Sequence, residues 1–176
     1  MATFGAKYPA FKPASATAGV VLGKLVSANL TVNLASGELY SDDILAEKAS
    51  EFASGSIAME TDDMTDDVAA IVYGCTVKDK VCTYKSGDAA PEGVLGYYKT
   101  LMRSGVKLYK GYVYPRCKAA LGNDNAATKG SSISFGTTST TFTVMANTDT
   151  EWRMTQEFAT EAEAIAWINS ECGISA

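Results

Sequence analysis

The chain has 176 residues, 47% apolar residues and a formal net charge of −5, a composition typical of one soluble globular domain and too apolar for a disordered protein. It contains no histidine, which excludes Ser–His and Cys–His nucleophiles, and it has no glycine-rich phosphate-binding motif. The acidic balance argues against wrapping nucleic acid, because phosphate binding requires Lys and Arg.

The four cysteines, Cys75, Cys82, Cys117 and Cys172, have spacings that fit neither a zinc knuckle nor a redox pair. We expect them to be reduced, partly buried thiols in a protein made and kept in a reducing, cytoplasm-like compartment. We expect no cofactor, and neither a signal peptide nor a membrane-spanning segment.

In chain order, residues 1–19 predict an extended N-terminal arm that is ordered only if something holds it. Apolar residues that alternate with polar ones then predict a strand with one buried face and one solvent-exposed face. Its apolar positions are Val26, Ala28, Leu30, Val32 and Leu34. Residues 35–38 predict a turn that opens a polar excursion up to residue 56.

A second strand is predicted at residues 55–61, followed by a run of acids and a short helix. Thr65 is placed to cap that helix and Gly74 to end it. The acids are Asp62, Asp63, Asp66 and Asp67. They suit the positive end of a helix dipole, and they could also hold a divalent cation, although their spacing fits no EF-hand.

The second half of the chain predicts further strands and a closing helix. Residues 75–84 are β-like, and residues 120–130 predict a flexible loop. Other strands are predicted at residues 93–102, 106–119, 131–136, 140–145 and 152–158. Ser104-Gly105 predicts a tight hairpin turn between the two longest strands. Thr160 and Glu163 predict a capping box, and the helix's apolar stripe is Ala164, Trp167, Ile168 and Cys172, with Gly173 at its end.

The two longest strands form an aromatic ribbon in which basic residues alternate with Tyr97, Tyr98, Tyr109, Tyr112 and Tyr114. These rings could stack nucleic-acid bases. Tyrosines on paired strands more commonly contact each other across the strands and bury their rings. Long regular strands also leave sheet edges, which a homo-oligomer can pair between subunits around a symmetry axis.

Several stretches resemble the major tail proteins of long, non-contractile-tailed bacteriophages. The most specific is Gly-Tyr-Tyr-Lys-Thr-Leu-Met-Arg-Ser-Gly-Val-Lys at residues 96–107, within a matching stretch over 93–115. The other matching stretches lie, in order, at residues 20–30, 37–43, 128–130 and 160–169.

The resemblance implies a mainly β fold, a β-sandwich or barrel with a flanking short helix and a C-terminal helix, as a single tail-tube domain over residues 20–176. It implies a non-enzymatic virion protein, assembled in the host bacterial cytoplasm, whose hexameric rings stack into a tube that conducts DNA. The implied partners are further copies of the chain, the tail terminator, the tape-measure protein, baseplate or tail-tip proteins, and DNA passing without specific binding through the lumen. Because the chain is acidic, we expect that lumen to be net negative.

The resemblance also implies two groups of contact residues. A loop at about residues 37–54 would stack ring on ring, centred on Leu39, Tyr40, Asp42, Asp43 and Ile44. The aromatic hairpin would supply the inner sheet or inter-subunit contacts through Tyr97, Tyr98, Lys99, Tyr109, Lys110 and Tyr112.

Other functions remain open on sequence alone. One is a monomeric β-barrel module that binds nucleic acid or sugar with the aromatic face. Another is an enzyme that uses the acids of residues 62–67 with a metal ion. Within the tail class, the alternatives are a head–tail joining protein and the tube of a phage-derived bacteriocin or secretion device.

Overall fold

A computed structural model describes residues 2–42, 44–123 and 136–175. The described chain is mainly β, which confirms the predicted fold class. Its elements, in order, are β1 (Ala2–Pro13), β2 (Val20–Val21), β3 (Leu25–Ser41), β4 (Ile44–Thr61), α1 (Asp66–Tyr73), β5 (Thr76–Lys78), β6 (Val81–Thr83), β7 (Glu92–Arg103), β8 (Val106–Leu121), β9 (Thr138–Val144), β10 (Met154–Phe158) and α2 (Glu161–Glu171). Neither described helix has the length and apolar character needed to cross a membrane.

Eight of the strands form one antiparallel sheet in the order β2-β1-β7-β8-β9-β4-β3, and β10 pairs with β8 beside β9. β5 and β6 form a separate two-stranded sheet. The predicted strand at 140–145 corresponds to β9, whose described partners are β4 and β8. The strand expected at 131–136 lies, apart from Gly136, outside the described residues, as does most of the expected loop at 120–130.

β7 is the centre of the molecule because both of its faces are buried. On one face Leu95 and Tyr97 belong to the main core, together with side chains of β4, β8, β9 and α1. On the other face Tyr98 packs with Ala164 and Ile168 of α2. This double burial explains why residues 93–98, in the middle of β7, include no charged residue, whereas a strand with one solvent-exposed face alternates apolar and polar residues.

The N-terminal segment is held by this central strand. β1 pairs antiparallel with β7 from Ala2 to Pro13, with irregularities near Gly5 and Tyr8. Both of these residues have positive φ. The extended conformation expected for residues 1–19 therefore occurs over β1, and what holds it is the subunit's own sheet.

The local signals of the helices and turns are confirmed. Ser104 and Gly105 both have positive φ, as a two-residue hairpin turn requires. Gly74 adopts the left-handed conformation at the end of α1. Thr160 and Glu163 make the reciprocal capping box of α2. Thr65 occupies the N-cap of α1 as expected, but its side chain makes no capping hydrogen bond.

The first residue of α2 attaches that helix to the sheet. The Tyr98 hydroxyl donates a hydrogen bond to Glu161 Oε1, and Lys7 Nζ donates another at 3.2 Å. The bond from Tyr98, followed by that from Lys7, lowers the pKa of Glu161. Because the pKa of Glu161 is lower in the folded protein than in the unfolded chain, its charged carboxylate stabilises the fold. This contribution is fully present above the unfolded pKa, about 4.3, and is lost as the pH falls through the folded pKa.

We therefore expect Glu161→Gln to lower the free energy of unfolding at pH 7 by about 1 kcal/mol or less, because the pair is partly exposed. The difference from the unsubstituted protein should be smaller at pH 3, because pH 3 lies below the unfolded pKa of about 4.3 and the carboxyl of the unfolded chain is then largely protonated. Urea denaturation at both pH values measures this. An equal difference at pH 7 and pH 3 would show that the charge of Glu161 does not hold α2.

Candidate assembly interface

The most unusual feature of the molecule is a long β-hairpin that leaves the body. β4 is supported by β9 only from Gly55 to Thr61, so beyond Gly55 the strands β3 and β4 pair with each other alone among the described residues. We name residues 32–54 the projecting hairpin. At about 3.3 Å per residue it extends about 30 Å from the body.

The projecting hairpin corrects two expectations. Residues 35–38 form no turn, because Ala35 to Glu38 continue β3 and pair with Glu51 to Lys48. The segment at 37–54 is therefore a pair of strands, and the chain reverses between Ser41 and Ile44, with Asp42 at positive φ. Asp43, which the resemblance placed in the stacking loop, lies outside the described residues.

One face of the projecting hairpin continues the core. Ala28 and Leu30 of β3 lie opposite Met59 and Ile57 of β4, and these four side chains contribute to the main core. Successive alternate residues on the same face are Val32, opposite Gly55, and Leu34, opposite Phe52. We name Val32, Leu34 and Phe52 the apolar stripe.

Nothing in the described residues covers most of this stripe. Leu34 is 60% exposed and Val32 is 38% exposed, whereas Phe52 is half-buried by stacking on Trp152, with ring centroids 4.4 Å apart. The expectation of one continuous buried face is therefore wrong for Val32 and Leu34, and also for Val26, which lies at an irregularity of the β3–β4 pairing and is exposed.

The end of the projecting hairpin is apolar and carries one internal ion pair. Leu39, Tyr40 and Leu45, which we name the tip, are all exposed. Lys48 Nζ donates a hydrogen bond to Glu38 at 2.7 Å, and the Tyr40 hydroxyl donates another at 3.1 Å. Lys48 first, and then Tyr40, lower the pKa of Glu38. These contacts hold the two strands in register close to the tip.

The outer strand of this hairpin has few of the features that protect sheet edges, although its pairing with β4 is irregular at three places. β3 ends the strand order, and its 17 residues include no proline and one charged residue, Glu38. Monomeric proteins usually shorten such an edge or interrupt it with lysine, proline or a bulge. A long edge strand with exposed apolar side chains is a surface suited to pairing with another chain.

Negative charge is concentrated in the projecting hairpin. Residues 32–54 contain five carboxylates and one lysine, which gives a formal charge of −4 out of the −5 of the whole chain. The remainder of the molecule is therefore close to neutral. It can receive the acidic hairpin of a second copy without overall repulsion.

The aromatic hairpin, β7 and β8, does not place all of its predicted residues where they could contact another subunit. Tyr97 and Tyr98 are each 1% exposed, so in this conformation neither side chain can contact another subunit. Tyr97 stacks on Tyr112 and on Tyr114, with ring centroids 5.5 Å and 6.1 Å apart. The interpretation that these tyrosines bury their rings against each other is confirmed for this group.

The other predicted residues of this hairpin lie at the boundary of the core. Tyr109, Lys99 and Lys110 are half-buried. Lys99 and Lys110 lie directly opposite each other, and like charges in that position repel. Lys99 Nζ lies 5.4 Å from the centre of the Tyr112 ring, and Lys110 Nζ lies 3.6 Å from Glu157, which offsets the repulsion.

The far end of β7 and β8 combines apolar and basic side chains. Phe4 of β1, Met102 and Val106 are exposed there. Met102 lies opposite Lys107, and Val106 lies opposite Arg103, which bonds Glu157 at 3.0 Å. We name Phe4, Met102, Arg103, Val106 and Lys107 the basic end. Sequence reasoning did not single it out as a surface, because only the strand register brings Phe4 beside it.

The acids at residues 62–67 have structural roles. Asp62 Oδ1 accepts hydrogen bonds from the backbone N–H groups of Lys24 at 2.7 Å and Asp63 at 2.8 Å. The bond from Lys24 is the main cause of the lowered pKa of Asp62. Asp66 and Asp67 occupy the first turn of α1, where negative charge is favourable. No group of three or more Cys, Asp or Glu side chains in the described ranges is placed to hold a metal ion.

Comparison with known proteins identified no family for this chain. A scan against protein-family models gave no match to the chain, and a search of curated proteins also gave none.

Proposed function

We propose that the protein is the self-assembling structural subunit of a bacteriophage tail tube, in which copies of the chain form stacked rings around a hollow axis. The observation that carries the proposal is the projecting hairpin, with its long edge strand of only one charged residue and its exposed apolar stripe. The sequence resemblance to major tail proteins supplies the tube, the ring and the DNA. The geometry supports the more general part, which is self-association.

The projecting hairpin gains stability when its exposed face is covered. A two-stranded hairpin without a covered face is only marginally stable in water. Burying an exposed leucine contributes about 1.5–3 kcal/mol. Covering Val32, Leu34 and the tip with a second copy would therefore order the hairpin and provide much of the free energy of association.

The basic end is the surface that receives the tip. The tip is apolar and lies in an acidic segment, whereas the basic end is apolar and contains Lys107 and also Arg103, which already pairs with Glu157. Its apolar side chains and the positive charge of Lys107 therefore make the basic end complementary to the tip, and the two surfaces lie on different parts of one chain. A contact between unlike surfaces of identical chains is heterologous, so it generates rings or helical arrays and can build a tube.

A net charge of −5 on each subunit gives an assembly that repels phosphates on average, so DNA would pass through without adhering. We propose a net-negative lumen for this reason. An assembled tube whose bore is lined by lysine and arginine would contradict this part of the proposal.

Leu34→Ser tests the stripe. We expect the concentration needed for assembly to rise by about 10-fold or more, because an apolar side chain buried between copies is lost. Unfolding of the single subunit should change little, since Leu34 is 60% exposed. Sedimentation velocity over a concentration series measures the assembly.

Ala35→Ser is the matched control, because Ala35 is the next residue of β3, is exposed, and alternates to the opposite face. It should assemble like the unsubstituted protein. Equal assembly of Leu34→Ser and the unsubstituted protein would overturn the assigned role of the stripe. A monomer that retards oligonucleotides would favour the binding-module alternative.

A further inference from the structure

The thiols of Cys75 and Cys82 lie side by side at the small sheet of β5 and β6, next to α1. Cys75 follows Gly74, the C-cap of α1, and Cys82 is the middle residue of β6. Their Sγ atoms are 3.0 Å apart, and both thiols are free. The six residues between them give no recognised cysteine motif, so the sequence did not reveal the pair.

We propose that Cys75 and Cys82 are a reversible modification site, which a small-molecule disulfide such as oxidised glutathione converts to an intramolecular disulfide. A disulfide bond is about 2.05 Å long, so the sulfurs need to approach by about 1 Å. Cys75 lies outside the β5 ladder and next to a glycine, so a local adjustment of the backbone can supply this movement. The inference does not depend on the proposed function.

The reaction balances without any group held by the protein. The Cys82 thiolate attacks one sulfur of oxidised glutathione, which forms a mixed disulfide and releases one glutathione thiolate. The Cys75 thiolate then attacks Cys82 Sγ and releases the second glutathione. The two protein thiols lose two electrons and two protons, and the oxidant is reduced to two glutathione molecules.

Accessibility sets the order of these two steps. Cys82 is half-exposed, whereas Cys75 is 7% exposed. Burial, together with the hydrogen bond to Cys82, raises the pKa of Cys75 to about 11, which makes it a poor nucleophile toward a reagent in solution. Cys75 is instead placed to act as the resolving thiol, because its target sulfur is already beside it.

The other two cysteines provide an internal comparison. Cys117 and Cys172 are both 0% exposed and belong to different core clusters. Burial raises the pKa of both thiols. They should therefore remain reduced under the same treatment while the protein is folded.

Peptide mass spectrometry tests the site on the full, folded chain. The protein is treated with oxidised glutathione, the remaining thiols are alkylated, and trypsin then cuts after Lys78 and Lys80, which separates Cys75 from Cys82. We expect a linked peptide pair joining residues 49–78 to residues 81–85. Its mass should be that of the two peptides minus two hydrogens, and dithiothreitol should separate it.

Variants distinguish the steps. Cys75→Ser should stop at the glutathione adduct on Cys82, and Cys82→Ser should give neither adduct nor link, whereas Cys117→Ser should form the link normally. The proposal is overturned if the folded unsubstituted protein keeps four alkylatable thiols. It is also overturned if a glutathione adduct on Cys82 persists there without resolving, or if the link forms only in denaturant.

Discussion

A chain whose hairpin is shortened at the tip should fold normally but form no tube. In this variant an Asn-Gly turn replaces residues 36–50 and joins Ala35 to Glu51, which lie opposite each other in the register. Two-residue loops of this kind suit hairpin strands. The tip is lost, together with the ion pair of Glu38 and Lys48, while the core residues of β3 and β4 are kept. We expect single subunits or isolated rings in electron micrographs.

The control for this variant separates the tip from the fold. The side chains of residues 31–42 and 45–51 are all exposed, so the midpoint of thermal unfolding should change by only a few degrees. A second variant with Glu47→Gln, on the same segment but outside the tip and the ion pair, should still form tubes. Tubes of normal length from the shortened chain would show that the tip makes no stacking contact.

Phe142→Ala should destabilise the subunit more than any surface change. Phe142 is 0% exposed, lies opposite Ile57 and Ala119 on the strands to either side, and contacts Phe11, with ring centroids 5.7 Å apart. Removing a buried phenylalanine ring costs about 3–5 kcal/mol. Since the free energy of unfolding of a domain is about 5–15 kcal/mol, this loss is a large part of the stability of the subunit.

The measurement for Phe142→Ala is urea denaturation followed by the fluorescence of Trp152 and Trp167. Trp152 reports on the base of the projecting hairpin through Phe52, and Trp167 reports on α2. Thr143→Ala is the matched control, because Thr143 is the neighbouring residue of β9 and is exposed; its effect should stay below about 1 kcal/mol. A loss for Phe142→Ala that is as small as the one expected for Thr143→Ala would contradict the assignment of the Phe142 ring to the core.

The sequence predicted those parts of the fold that local chemistry decides. Thr160 and Glu163 define a helix start within four residues, and Ser104-Gly105 defines a turn whose positive φ values suit those residues. The strand character of β7 and β8 was also visible, since aromatic and β-branched residues fill them. These signals do not require knowledge of which strands are neighbours.

The sequence failed where distant segments decide the outcome. Ser36 and Gly37 look like turn residues, but cross-strand pairing with Ser50 and Ala49 holds them extended. The alternation around Val32 and Leu34 correctly indicated an apolar face, yet alternation cannot show what covers that face. In this chain β9 ends too early to support it, and that follows only from the register.

The sequence predicted only part of the candidate interface, for the same reason. The resemblance pointed to the segment containing Leu39 and Tyr40, which the structure places at an exposed tip. The resemblance also pointed to Tyr97 and Tyr98, which the structure buries. β7 lies between β1 and β8 and beneath α2, and a linear pattern of tyrosines does not contain that information.

We propose that copies of this chain complete each other's exposed strand edges around a hollow axis. Negative-stain electron microscopy of the concentrated, purified protein tests this proposal most directly. We expect rings or tubes with an open centre. A preparation that remains compact single particles at every concentration, with and without the other proteins of a tail, would contradict it.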